Sequence, residues 1–242
     1  NIEVPRRNTS ALARNGCWNA LLHIARQILV IGASEMPRIL APRNLPMQQR
    51  ALEKREMILS VTAKLLGTVG QDDLTTILIA DKTGISVGTL YHYFPNKYSI
   101  LFALSQRWLN EIDYALDDID NFSLKDVSLR DFTNYSIDRM LTVYTAQEGI
   151  LPLVQLMSGV PELKELDEEH DEKIIFTMSK IFNRLSISSN QLTLSRLSQT
   201  WLEVTHAILL IAITSKKDDK KSILSDLKHM IMSLLEKAKA NF

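Results

Sequence analysis

The stretch LTTILIADKTGISVGTLYHYFPNK, residues 74–97, decides the reading of this chain. Its local signals describe two short helices joined by a tight turn. Thr75 suits the N-cap of the first, because its hydroxyl can accept from a backbone N–H left orphaned in the first turn. Ile77, Leu78, Ile79 and Ala80 supply an apolar cluster. Gly84 falls where that helix must stop, since only glycine takes a left-handed backbone without steric cost. Ile85 plugs the corner and Ser86 caps the second helix. Val87, Leu90 and Phe94 follow at helical spacing as inward positions. Gly88, Thr89, Tyr91, His92 and Tyr93 are left nearer the open side. Pro95 ends the second helix, and Asn96 caps another that begins at Lys97. This is the layout of a helix-turn-helix, whose second helix enters the DNA major groove.

Working outward, residues 48–66 predict a preceding helix, with Ile58, Val61, Leu65 and Leu66 on one apolar face. Residues 98–116 predict a following one, with Ile100, Leu101, Leu104, Trp108, Ile112 and Leu116 at three-to-four spacing. Helical patterns continue over 129–147, over a short apolar segment at 151–157, and through the charged amphipathic run that starts at Pro161. Gln191–Thr214 and residues 222–240 close the chain. No strand alternation and no internal repeat is evident, so the class is all-α. The last two helices carry unusually wide apolar arcs. One repeats Leu194, Leu197, Trp201, Val204, Ile208 and Ile211, and the other Ile223, Leu227, Met230 and Leu234. Such helices are usually buried between their own body and something else.

The residues of the opening stretch resemble the DNA-binding domain of the tetracycline-repressor (TetR) family. The matching pieces are Thr75-Thr76, Ile79-Ala80, Gly84-Ile85-Ser86, Gly88-Thr89-Leu90-Tyr91, Tyr93-Phe94 and Lys97. Ile77 and Leu78 depart from that pattern, standing where polar residues are common. The resemblance implies an N-terminal three-helix DNA-binding domain over residues 47–112. An all-helical effector-binding and dimerisation domain would follow over 113–242. It implies a transcriptional regulator, a repressor released from a palindromic double-stranded operator by a small-molecule effector.

The DNA-reading surface would then hold Thr75, Thr76, Ser86, Val87, Gly88, Thr89, Tyr91, His92, Tyr93 and Lys97. Tyrosines and hydroxyls there can bond phosphate, lay a ring on sugar and thymine methyl, or reach base edges, while Lys97 pairs with the backbone. Gly88 matters by absence, because a side chain there would hold the helix out of the groove. The two closing helices would meet their copies in a homodimer through the apolar positions named above. The implied effector pocket draws on Phe132, Tyr135, Met140, Tyr144, Met157, Phe176, Met178, Phe182, Trp201 and His206, although aromatics and methionines on helices more often simply fill a core.

Composition agrees with a locally charged rather than globally basic chain. The 242 residues hold 28 basic and 28 acidic side chains. Carboxylates crowd into the second half, and 47–110 is mildly basic, which is all that phosphate contacts need. Cys17 is the only cysteine, so neither a disulfide nor a cysteine metal site forms within one chain, and a reducing cytoplasm is expected. The histidines are scattered, and no catalytic, metal or cofactor motif is present. The run Glu168-Glu169-His170-Asp171-Glu172 reads as a solvated acidic face, since a helix points consecutive residues apart. The competing class is an all-α enzyme or interaction module whose helix-turn-helix has no DNA role. Residues 1–46 contain arginine but no lysine and four prolines. They are expected to be a flexible extension, or sequence read from a start codon placed too early, with an N-terminal arm that touches DNA as the alternative. Their apolar part is too short to span a bilayer.

Overall fold

The computed structural model describes residues 49–240; the expectations for 1–46 lie outside them. Nine helices and no strand occur among the described residues. They are α1 (Gln49–Val69), α2 (Thr76–Thr83), α3 (Val87–Tyr93), α4 (Lys97–Asp120), α5 (Leu129–Ala146), α6 (Ile150–Gly159), α7 (Pro161–Arg184), α8 (Gln191–Thr214) and α9 (Lys217–Ala240).

The helix ends fall where short polar side chains and one glycine put them. The Thr75 hydroxyl accepts from the Leu78 N–H at 3.1 Å, closing the first turn of α2. Gly84 ends that helix at φ 69°, and the N–H of Ile85 returns to the Ala80 carbonyl at 3.0 Å. The Ser86 hydroxyl accepts from the Thr89 N–H at 3.0 Å and starts α3. Phe94 is extended, as a residue before proline must be, so α3 stops at Tyr93. Asn96 and Ser99 then cap each other's backbone N–H groups, at 2.9 and 3.3 Å, and α4 begins.

Helices α1 to α3 and the first turns of α4 enclose one small core. Ile58, Leu59 and Leu66 of α1 meet Leu74, Ile79, Leu90 and Phe94, with Ile100, Leu101 and Leu104 as the floor. Its two buried threonines are satisfied locally: Thr62 donates to the Ile58 carbonyl at 2.8 Å and Thr83 to the Ile79 carbonyl at 2.6 Å. The same α4 continues without a break into the body. Its later residues Trp108, Ile112, Leu116 and Ile119 are buried, and the helix packs against α5 and α7. Around it, α7 packs on α8, α8 on α9, and α9 on α5.

Two contacts fasten α1 to the body. Arg107 of α4 donates to the Ser60 hydroxyl at 3.1 Å and lies 3.4 Å from the Glu56 carboxylate. Farther along, Gly67 of α1 lies against Gly149 at the head of α6. Gly149 has φ 65°, and a Cβ there would stand 2.4 Å from the Ala63 carbonyl oxygen.

Candidate nucleic-acid interface and body interior

α3 turns its apolar side inward and its polar side out. Leu90 and Phe94 are fully buried and Val87 is half-buried, whereas Thr89, Tyr91 and His92 are exposed and Tyr93 half-buried. A Cβ at Gly88 would meet only the Ser86 hydroxyl, at 3.8 Å. The fold itself therefore has room for a side chain at 88, and what the bare backbone leaves open is the outer face.

The Tyr91 hydroxyl lies 3.1 Å from the Thr76 hydroxyl, which ties the recognition helix to α2 and sets the ring's direction. Ser86 and Thr89 hydroxyls lie 2.8 Å apart, so both serve the cap as well as facing solvent. Lys97 is less free than its sequence position implies. Its Nζ donates to the Gln71 carbonyl at 3.1 Å and sits 5.8 Å from the Tyr98 ring. Thr75 is exposed and Thr76 half-buried. The ten sequence-derived positions thus lie on α2, α3 and their flanks, with Tyr91, His92, Thr89 and Gly88 foremost. Ile77, at the departure from the family pattern, is 68% exposed beside them.

In the body the expected pocket residues divide. Phe132 and Phe182 meet edge to face with centroids 6.4 Å apart, and Met140, Met157, Met178 and Trp201 are buried with them. Tyr135 lies nearer the surface, stacked on Phe122 at 4.1 Å. Phe176 must be corrected: it is 63% exposed with Lys180 over its ring, because it occupies the outer face of α7, and it lines no interior.

Tyr144 and His206 are brought together, with hydroxyl and Nδ1 2.6 Å apart. Burial pushes His206 down to about 4. A neutral ring accepts the phenol proton at Nδ1, which leaves its own hydrogen on Nε2. Burial, and then the charges of Asp167 and Asp171, hold the Tyr144 phenol well above its usual range.

Three neighbours of this pair were not among the expected pocket residues. Trp108 of α4 meets Tyr144 edge-on at 5.8 Å and His206 at 6.4 Å. Asp167 and Asp171, one turn apart on α7, face the same region. Burial, followed by neighbouring carboxylates, raises Asp167 to about 6 and Asp171 to about 8. The solvated-face reading of 168–172 is therefore corrected in part. Glu168, Glu169 and Glu172 are exposed, but His170 is buried. Its Nε2 lies 3.1 Å from the Leu109 carbonyl and 3.0 Å from Asp113, which also pairs with Lys173 at 2.7 Å. Burial outweighs Asp113 and lowers His170. Only spacing could have signalled this: 163, 167, 170, 171 and 174 trace one broad side of a helix, which an acidic composition disguised.

An open cleft of about 450 Å³ lies elsewhere, between α1, α4 and α7, lined by Arg55, Arg107, Asp113 and Glu169 among others. Charges of both signs already compensate one another there. No group of histidine, cysteine and carboxylate side chains arranged for a metal ion occurs among the described residues.

The dimer positions also divide. Leu194, Leu197, Trp201 and Leu227 are spent inside the chain, a correction to their sequence-derived role, since a side chain 0–2% exposed offers a partner no area. Val204, Ile208, Ile223 and Leu234 are half-buried, and Ile211 and Met230 are 51% and 44% exposed. These six remain on the outer side of α8 and α9. By length and composition α8 is apolar enough to cross a membrane, but its Leu194, Leu197, Trp201, Leu202, Leu209 and Ala212 pack inward as in a core helix.

This geometry defines a helix-turn-helix DNA-binding protein with a helical body. Residues 58–104 match the family described as "Bacterial regulatory proteins, tetR family". The DNA-binding domain of this chain is therefore of the TetR family of transcriptional regulators. It is 28% identical over 134 residues to the HTH-type transcriptional regulator BetI of Stenotrophomonas maltophilia, covering 54% of this chain and 68% of that one. With the HTH-type transcriptional regulator SAB2452 of Staphylococcus aureus it shares 29% identity over 108 residues, 43% of this chain and 58% of the other. A TetR-family regulator from Marinobacter aquaeolei VT8 superposes with a TM-score of 0.57 at 20% identity, over 76% of this chain and 98% of that structure. That likeness carries the fold.

Proposed function

We propose that this regulator is a homodimeric repressor that reads a palindromic operator and leaves it when a small molecule enters the body. The observation that carries the reading is the course of α4. Ser99, Ile100, Leu101 and Leu104 belong to the helix-turn-helix core, while Trp108 of the same helix touches Tyr144 and His206 in the body. A stiff helix shared by both cores cannot tilt at one end without moving the other. A ligand that alters the packing around Trp108 therefore biases where α3 sits. Such a ligand must bind the two states with different affinity, and coupling of this kind is typically about 1–3 kcal/mol. The division of labour follows as 47–112 for DNA and 113–242 for effector and partner. The outward apolar residues of α8 and α9 supply the self-contact. The site of action is the cytoplasm.

Fluorescence anisotropy on DNA flanking the chain's own gene tests this reading. The expected result is saturable binding of two chains per site, reversed by an effector. Binding no tighter than to random DNA would end it.

A further inference from the structure

We propose that the body binds an organic ammonium cation, held by Asp167 and Asp171 of α7 against the rings of Tyr144 and Trp108; this rests on the effector reading above and assigns its ligand chemistry. The placement comes from the packing of α7 on α8. The Ser179 hydroxyl donates to Ser198 at 3.0 Å, which fixes the register of these two helices. A six-residue connection, 185–190, makes them antiparallel. Eight residues back from Ser179 is Asp171, and eight forward from Ser198 is His206. The two therefore stand at one level, about 12 Å along the pair. His206 is bonded to Tyr144, and Trp108 lies against both rings. Asp167 follows one turn from Asp171 on the same side of α7, and Glu203 of α8 adds its charge to both aspartates.

Two features of this region have no purpose in packing alone. Neither Asp167 nor Asp171 has a lysine or arginine partner among the described residues, although each is half-buried and close to the other. Two like carboxylates brought together partly out of water disfavour one another's charge, and a cation between them removes that penalty. Independently, Trp108 is 2% exposed, and its indole N–H has no acceptor in the fold. A buried donor without a partner costs free energy unless something else supplies the acceptor. A small molecule bearing both a positive nitrogen and an oxygen acceptor satisfies the carboxylates and the indole together. Aromatic faces beside it add cation–π attraction. A metal ion is the poorer occupant, because the rings leave too few oxygen ligands around one point.

The test is calorimetric titration of the full chain with tetramethylammonium and benzyltrimethylammonium, with tert-butanol and benzyl alcohol as neutral counterparts. Saturable binding of at least one cation, with the alcohols at least tenfold weaker, is expected. Asp167→Asn/Asp171→Asn, which keeps shape and removes charge, should weaken cation binding at least tenfold. Phe176→Ala, on the outer face of α7, should leave it unchanged. Circular dichroism of the double variant checks that it is folded. Failure of both cations to bind, equal binding of the alcohols, or undiminished binding by a folded double variant would overturn the proposal. The same cations are then added to the protein–DNA complex. Binding without release of DNA refutes the effector reading and leaves the cation site standing, whereas release by the neutral alcohols alone refutes the cation site and leaves the effector reading standing.

Discussion

Tyr91 and His92 are neighbours with different prospects. The Tyr91 hydroxyl is already oriented by Thr76, which fixes the direction of its exposed ring, and in the proposed reading that ring meets the DNA backbone or sugar. Tyr91→Ala should weaken binding to every sequence by about 1 kcal/mol per subunit, roughly fivefold for each and about thirtyfold for a dimer on its operator. His92→Ala should instead change which operator bases matter. Anisotropy across single-base operator variants at fixed salt separates the two, and equal discrimination by the His92 variant and the parent would remove His92 from base reading. Asp171 makes a prediction of another kind. Its folded-state value, about 8, lies above its ordinary 3.8. The folded chain therefore holds that proton more tightly than the unfolded chain does, and stability is lost as pH rises between those values. The groups responsible besides burial are Asp167, Glu203 and Glu168. Asp171→Asn should raise the melting temperature more at pH 8 than at pH 5, by about 2–4 °C for each kcal/mol relieved. An equal gain at both pH values would mean that Asp171 is ionised in the fold throughout.

At the scale of elements, α1 and α6 approach closely at Gly67 and Gly149. Gly149 sits in the left-handed region, and any Cβ there would strike backbone rather than a movable side chain. Gly84 shares the backbone conformation but has nothing within 4 Å. Gly84→Ala should therefore cost about 1 kcal/mol, the conformational penalty alone. Gly149→Ala adds a clash that only a shift of α6 from α1 can relieve, and should cost about 3 kcal/mol or more. Urea unfolding of the two variants measures the difference. Comparable midpoints would show that α6 yields without resistance.

For the whole molecule, the proposed self-contact rests on the outer side of α8 and α9. Val204, Ile208 and Ile211 fall at four- and three-residue spacing, and Ile223, Met230 and Leu234 share a side of the next helix. Val204→Glu/Ile208→Glu should give monomers by sedimentation equilibrium and at least a hundredfold loss of operator affinity, because the proposed dimer would read half-sites about 34 Å apart with two recognition helices held together. A double variant that remains dimeric would place the interface elsewhere.

Local chemistry was enough to read the helix-turn-helix from the residues themselves. Caps at Thr75, Ser86 and Asn96, a left-handed glycine at 84 and a proline at 95 act within four residues of where they stand, so their consequences need no distant partner. Helical periodicity likewise placed Gln191–Thr214, whose apolar spacing is its own signal. What only the tertiary structure decided is which apolar and charged residues face one another. Leu194 and Ile211 belong to one stripe in the sequence, yet one is core and the other surface, because α7 and α9 cover only part of the helix. Phe176 and Phe182 differ in the same way. Asp171 was lost among solvated carboxylates until α7 packed on α8 at the register of Ser179 and Ser198. That placement depends on the sum of many weak contacts between segments tens of residues apart, and no local spacing encodes it.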